Sequence, residues 1–177
     1  KYVMNVRKEL HFRTIFNLLG PLSNPAFVKK QLVGVYNKNL LNPFANALKK
    51  LGSTNSWIVS SEQGMDEIST TGITFCAELN DNQITEFEID PGQFGFTKAT
   101  LKDLEGGNEI ENAKAILDIF NGEKNAFRDI VIMNSMCTLK ATNICSDFKE
   151  AKEMVINSLD SKNALNKLEQ LKKFTSM

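Results

Sequence analysis

The sequence predicts an α/β domain: a mainly parallel sheet, partial and carrying a hairpin, with helices flanking it. Two short β-rich runs, 31–36 (QLVGVY) and 57–60, are separated by a helical segment of about ten residues, the order that joins neighbouring parallel strands. Residues 72–79 and 83–89 read as alternating strands around Asn80-Asp81-Asn82, a hairpin signal. Beyond Gly95 the remaining chain reads as a series of helices.

Taken in order, the first 25 residues read as helix, with Ile15, Phe16, Leu18 and Leu19 on an apolar face. Gly20 suits a left-handed stop, Pro21 bars continuation, and Ser23-Asn24-Pro25 makes a turn. After the first strand, Pro43–Gly52 is expected to be helical. Asn42 is its N-cap, Pro43 takes the first position, Phe44, Ala47, Leu48 and Leu51 share a face, and Gly52 closes it. Asn108 and Glu111 form a capping box ahead of Ile110, Ala113, Leu117 and Phe120, which recur at helical spacing until Gly122. Three further helices are expected over 126–139, 147–158 and 161–174, the first of them well buried through Ile130, Met133, Met136 and Cys137.

Bulk properties narrow the function classes. A length of 177 residues suits one domain, and an apolar share of 42% can support a packed core. Basic and acidic residues balance at 21 each, for a net charge of +0. That argues against nucleic acid or an anionic membrane as the main partner, because both demand a positive field. Cys76, Cys137 and Cys145 form no C-x-x-C pair and, as three, close no disulfide framework; they read as small buried hydrophobes in a reducing compartment. No apolar run approaches the ~20 residues of a membrane span, and a cytoplasmic location is expected. The chain opens on Lys1-Tyr2-Val3, already inside a patterned segment, and is expected to be a piece of a longer polypeptide.

Asp66-Glu67 is the most chemically suggestive pair. It falls just after the second strand, and open α/β sheets place ligands on loops at the carboxyl ends of parallel strands. Adjacent carboxylates suit Mg²⁺, a hard cation that fills its remaining positions with water and substrate phosphate oxygens. Surface decoration, or a helix-turn cap at Asp66, explains the same pair without a ligand. Arg7 and Arg13 can grip a carboxylate bidentately, or lie on a solvated helix face. Gly106-Gly107 superficially suits phosphate, yet the capping box accounts for it and neither dinucleotide nor Walker spacing is present. His11 is the single histidine, which nearly excludes His-rich metal sites and Ser-His or Cys-His catalysis.

These pieces together resemble the anthranilate phosphoribosyltransferase family. The stretch from Arg7 through Arg13-Thr14-Ile15-Phe16-Asn17-Leu18-Leu19-Gly20-Pro21-Leu22-Ser23-Asn24-Pro25 is similar to that family's R-x-x-L-G-x-R-T-x-F-N-x-L-G-P-L-x-N-P. Gly64-Met65-Asp66-Glu67-Ile68-Ser69 resembles G-L-D-E-[ILV]-[ST]. Gly106-Gly107 with Glu111-Asn112-Ala113 resembles G-G-D-x-x-E-N-A, and the run from Asp129 to Ser135 resembles R-D-x-V-x-x-N-A. His11 stands where that pattern has Gly, and Asn5 where Pro is common, both near Arg7. The family's G-T-G-G-D loop, its K-x-G-N-R segment and its amino-terminal helices have no counterpart here.

The resemblance implies a Mg²⁺-dependent transferase of tryptophan biosynthesis, moving phosphoribose from 5-phosphoribosyl pyrophosphate to anthranilate. By resemblance, Asp66 and Glu67 are the metal ligands and Arg7 faces the anthranilate carboxylate, with no side chain acting as catalytic base. It implies that residues 1–26 belong to a small helical domain or hinge, and 27–177 to the carboxy-terminal part of the α/β domain. It also implies a homodimer in the intact protein, and fusion to or association with a glutamine amidotransferase in some members. The isolated chain is expected to be inactive, with an exposed sheet edge that invites self-association. A pyrimidine nucleoside phosphorylase-like enzyme, a nucleic-acid-binding relative of the fold, and a purely structural domain are the competing readings.

Overall fold

The structure is a computed structural model that describes residues 16–175. Its sheet has four strands in the order β1 (Lys30–Gly34), β2 (Asn55–Ser61), β3 (Thr74–Asn80), β4 (Gln83–Ile89). β1 and β2 run parallel, joined through helix α2 (Leu41–Lys50), as the strand–helix–strand spacing requires. β2–β3 and β3–β4 are antiparallel, so the described sheet is mixed. Asp81 and Asn82 both take positive φ (43° and 71°) between the paired Asn80 and Gln83. Those are the backbone signs of a type I′ hairpin turn, which Asp and Asn tolerate.

Every residue of β2 is buried, so this strand is covered on both faces. Alternation then sorts its side chains. Ile58 joins Val33, Phe44, Ala45, Leu48, Ala77 and Leu79 in the core under α2. Trp57 and Val59 join the opposite core, with Cys76 and Ile89. That second core is roofed by α4 (Ala126–Ala141) and α5 (Phe148–Asp160), through Met133, Met136, Cys137, Ala151, Val155 and Leu159. Trp57 keeps its indole N–H satisfied by donating to Glu78 Oε1 at 3.0 Å across the β2–β3 pair. Its ring meets the edge of Phe87 at 4.9 Å. Buried indoles keep a polar partner in this way.

The helices begin where side chains cap them. Helix α3 (Glu109–Phe120) opens with the expected box: Asn108 Oδ1 accepts from the N–H groups of Ile110 and Glu111, and Glu111 reaches back to the Asn108 N–H. Its apolar residues are mostly uncovered, however; Ile110 is 80% exposed and Ile119 is the buried one. Asn125 caps α4 and Asp147 caps α5, and α6 (Asn163–Thr175) follows. Arg128, buried in the first turn of α4, bonds Asp160 at the end of α5 at 2.5 Å and ties the two helices together. Among the described residues no helix is long and apolar enough to cross a membrane.

Two local expectations change. Helix α1 (Phe16–Leu22) runs through Gly20 and Pro21, and the chain leaves it with the Ser23 N–H on the Gly20 carbonyl at 3.1 Å. Gly20 is absent from the left-handed glycines, so the stop comes from the following turn. Asn42 does not cap α2. A 3-10 turn at Lys38–Leu40, capped by Asn37, runs directly into the helix, so Asn42 and Pro43 lie inside its first turn. Pro43 still costs little there, because the amides of the first turn have no intrahelical acceptor.

Candidate active site

Asp66 and Glu67 sit on the segment that leaves β2 and returns to β3. The Val35 N–H donates to the Val59 carbonyl at 2.8 Å, aligning the carboxyl ends of β1 and β2. The acidic segment then crosses the end of β1 at Gly34. A Cβ built on Gly34 would stand 1.5 Å from the Asp66 carbonyl oxygen and 2.3 Å from its carbon. Only a residue without a side chain allows that crossing.

Both flanks of the acidic pair are pinned. On one side Ser61 and Met65 exchange two bonds: the Met65 N–H donates to Ser61 Oγ at 2.8 Å, and the Ser61 N–H donates to the Met65 carbonyl at 2.9 Å. On the other side the Ile68 N–H donates to Asn134 Oδ1 at 2.9 Å, and Asn134 Nδ2 donates to the Ile68 carbonyl at 2.7 Å. A buried hydroxyl chain continues the support. The Ser69 N–H donates to Thr74 Oγ1, Ser69 Oγ and Thr71 Oγ1 lie 2.7 Å apart, and Thr71 Oγ1 donates to Gln63 Oε1. A loop held at so many points presents its carboxylates with little reorganisation.

Asp66 is exposed and Glu67 half-buried. Burial, and secondarily the Asp66 carboxylate beside it, push the Glu67 carboxyl above its usual value of 4.5. Among the described residues no ion pair involves either acid. Among the described residues the pair is therefore negative charge without an ion-pair partner on a pinned loop, an arrangement that a cation relieves. No group of three or more His, Cys, Asp or Glu able to hold a metal occurs among the described residues. A metal held here would take most of its ligands from water or a substrate, which is how Mg²⁺ is commonly bound.

Asp66 also lines a cleft of about 490 Å³ with Gly20, Pro21, Ser23, Asn24 and Gly34. Asn24 shapes that wall by accepting the Ala26 N–H at 2.9 Å, a side-chain turn. The Gly-Pro-Leu-Ser-Asn-Pro run and the acidic loop, far apart in sequence, thus face one space. Arg7, Arg13, His11 and Asn5 lie outside the described residues. Gly106-Gly107 is occupied by the protein itself. The Gly107 N–H donates to Asn112 Oδ1 at 2.8 Å, and a Cβ on Gly107 would lie 2.0 Å from Glu111 Oε2. A carboxylate already stands where an anion would have to enter.

Sequence reasoning assigned no role to Gly34 or Asn134. The signal for Asn134 was present: an amide set among Ile132, Met133, Met136 and Cys137, all buried on the same helix, needs a polar partner.

The family profile "Glycosyl transferase family, a/b domain" matches residues 1–165. The chain is 43% identical over 171 residues to an anthranilate phosphoribosyltransferase of Thermoanaerobacter sp. (strain X514), covering 97% of this chain and 51% of that protein. It is 46% identical over 164 residues to one from Azospirillum brasilense, covering 93% and 46% respectively. The crystal structure of anthranilate phosphoribosyltransferase from Thermus thermophilus superposes with a TM-score of 0.85 at 33% identity, over 96% of this chain and 50% of that one. The Saccharomyces cerevisiae enzyme in complex with PRPP and Mg gives 0.85 at 29% identity, over 95% and 49%. The chain thus spans about half the length of the relatives it matches. With the profile, the sheet and its flanking helices in agreement over nearly all of its length, the chain belongs to the glycosyl transferase family, through that family's α/β domain.

Proposed function

We propose that this chain supplies the metal-carboxylate part of an anthranilate phosphoribosyltransferase, a Mg²⁺-dependent enzyme of tryptophan biosynthesis. The observation that carries the reading is the Asp66-Glu67 pair, without an ion-pair partner among the described residues and pinned on both flanks, with Asp66 lining a cleft shared with Gly20 and Asn24. In the reaction the anthranilate amine attacks the anomeric carbon of 5-phosphoribosyl pyrophosphate as the bond to pyrophosphate breaks. The bonding pair leaves on the pyrophosphate oxygen, and the new aminium then loses its proton to solvent. Asp66 and Glu67 would hold Mg²⁺, which when bound neutralises charge on the departing pyrophosphate. The protein's contribution is then positioning and charge placement rather than proton transfer.

Arg7 is proposed to face the anthranilate carboxylate, since guanidinium pairs with carboxylate bidentately. Residues 1–26 are proposed to belong to the small helical domain or hinge, and 27–177 to the α/β domain. The intact protein is proposed to be a cytoplasmic homodimer, with neither nucleic acid nor membrane as partner. The 177-residue chain alone is expected to show no phosphoribosyl transfer, because it contains no G-T-G-G-D phosphate loop.

Turnover of the full-length protein, titrated with Mg²⁺ and 5-phosphoribosyl pyrophosphate, tests the reading. Asp66→Asn and Glu67→Gln are expected to lower kcat/KM roughly a hundredfold, which corresponds to losing about 2.7 kcal/mol of metal charge stabilisation. Unchanged turnover in both variants would sink the metal assignment.

A further inference from the structure

We propose that Asn134, on α4, is a positioning residue for the Asp66-Glu67 metal site. The inference rests on the metal reading above, and the geometry is specific. Asn134 Oδ1 accepts the Ile68 N–H at 2.9 Å while Nδ2 donates to the Ile68 carbonyl at 2.7 Å. One side-chain amide thus holds both polar groups of a single residue, much as a neighbouring strand would. Nδ2 also donates to the Ile130 carbonyl at 3.0 Å, one turn back on its own helix. Together these bonds fix which end of the amide carries nitrogen, because the reversed amide would set donor against donor at the Ile68 N–H and acceptor against acceptor at both carbonyls.

The clamp matters because of where it lies. Met65 is locked to Ser61 and Ile68 to Asn134, so Asp66 and Glu67 are the only residues between the two locks. Ile68 is fully buried, with 0% exposure, which anchors the clamped residue in the core as well. α4 is itself a core helix, carrying Met133, Met136 and Cys137 at 0% exposure. Asn134 therefore transfers the rigidity of the helix layer to the peptide beside Glu67. Groups that orient metal ligands in this way typically contribute 10–100-fold to metal affinity.

The test uses the full-length protein with Asn134→Ala and Asn134→Asp. The aspartate is isosteric but sets a carboxylate oxygen against the Ile68 and Ile130 carbonyls; it carries the test if the alanine variant does not fold. Mn²⁺, visible by electron paramagnetic resonance, is titrated in the presence of 5-phosphoribosyl pyrophosphate. Hydrogen exchange is followed at the Ile68 amide. The expected result is a Mn²⁺ dissociation constant raised about tenfold or more, faster Ile68 exchange, an unchanged KM for anthranilate, and kcat recovered at saturating Mg²⁺. Faster Ile68 exchange with an unchanged Mn²⁺ constant overturns the proposal, since the clamp would then be broken without consequence for the metal. Loss of turnover that saturating Mg²⁺ does not restore overturns it too. Asp66→Asn and Glu67→Gln run alongside. If they leave Mn²⁺ binding intact, the metal reading itself fails, and if only the Asn134 variants do so, the positioning role alone fails.

Discussion

Replacing Gly34 with alanine tests the crossing of β1 by the acidic loop, because two physical effects predict opposite signs. Gly34 is not among the glycines with positive φ, so alanine fits its backbone. With open space above it, the change would stabilise the chain by ~0.4–1 kcal/mol through a less flexible unfolded state. The space is not open: the new Cβ would lie 1.5 Å from the Asp66 carbonyl oxygen, against 3.4 Å for ordinary contact, a deficit of about 1.9 Å. The obstacle is backbone, and that backbone is locked at Met65 and Ile68, so the loop cannot swing aside without breaking those bonds. Overpacking of this kind costs ~1–3 kcal/mol. For a chain of this length each kcal/mol shifts Tm by ~2–4 °C, so a fall of roughly 2–12 °C is expected. Thermal unfolding of the 177-residue chain measures it, with amide shifts at Asp66, Glu67 and Ile68 reporting the displaced loop. An equal or higher Tm, with those amides unmoved, would refute the close approach.

Further expectations follow from the same structure. Glu67→Gln should raise the chain's stability at neutral pH without Mg²⁺. Burial and Asp66 lift the folded-state carboxyl above 4.5, so this group favours the folded state at low pH, and that contribution is lost as pH rises through the raised value. The gap between variant and parent should close as pH falls below 4.5; a gap independent of pH would count against the linkage. Burial raises the thiol of each cysteine, that of Cys137 to about 12. A thiolate-directed reagent at pH 8 should leave the native chain unmodified and label all three cysteines in denaturant; rapid native labelling would contradict the packing. Asn108→Ala removes the acceptor for two amides at the start of α3. It should cost about 1 kcal/mol, read as a Tm drop of ~2–4 °C, and no drop would mean that α3 starts elsewhere.

Local chemistry was legible because a few neighbouring residues carry it. The Asp81-Asn82 turn, the Asn108–Glu111 box and the helix end at Gly52 all follow from backbone preferences within four or five positions. The strand–helix–strand order and the Asp66-Glu67 pair on a strand-end loop were equally readable, because parallel strands need a crossover and place loops at their carboxyl ends. Local rules misjudged Gly20-Pro21 and Asn42, where the following turn and a preceding 3-10 segment shifted the helix ends.

Where the acidic pair is held was decided by tertiary structure. Gly34 and Asp66 come from separate elements, and Asn134 meets Ile68 across 66 positions. In the sequence Gly34 is a glycine in a strand and Asn134 an amide in an apolar helix, and neither names its partner. Which backbone the glycine admits, and which peptide the amide clamps, depend on how the helix layer and the strand ends pack. Residue types therefore specified the carboxylates and the local turns, while long-range packing specified where those carboxylates are held.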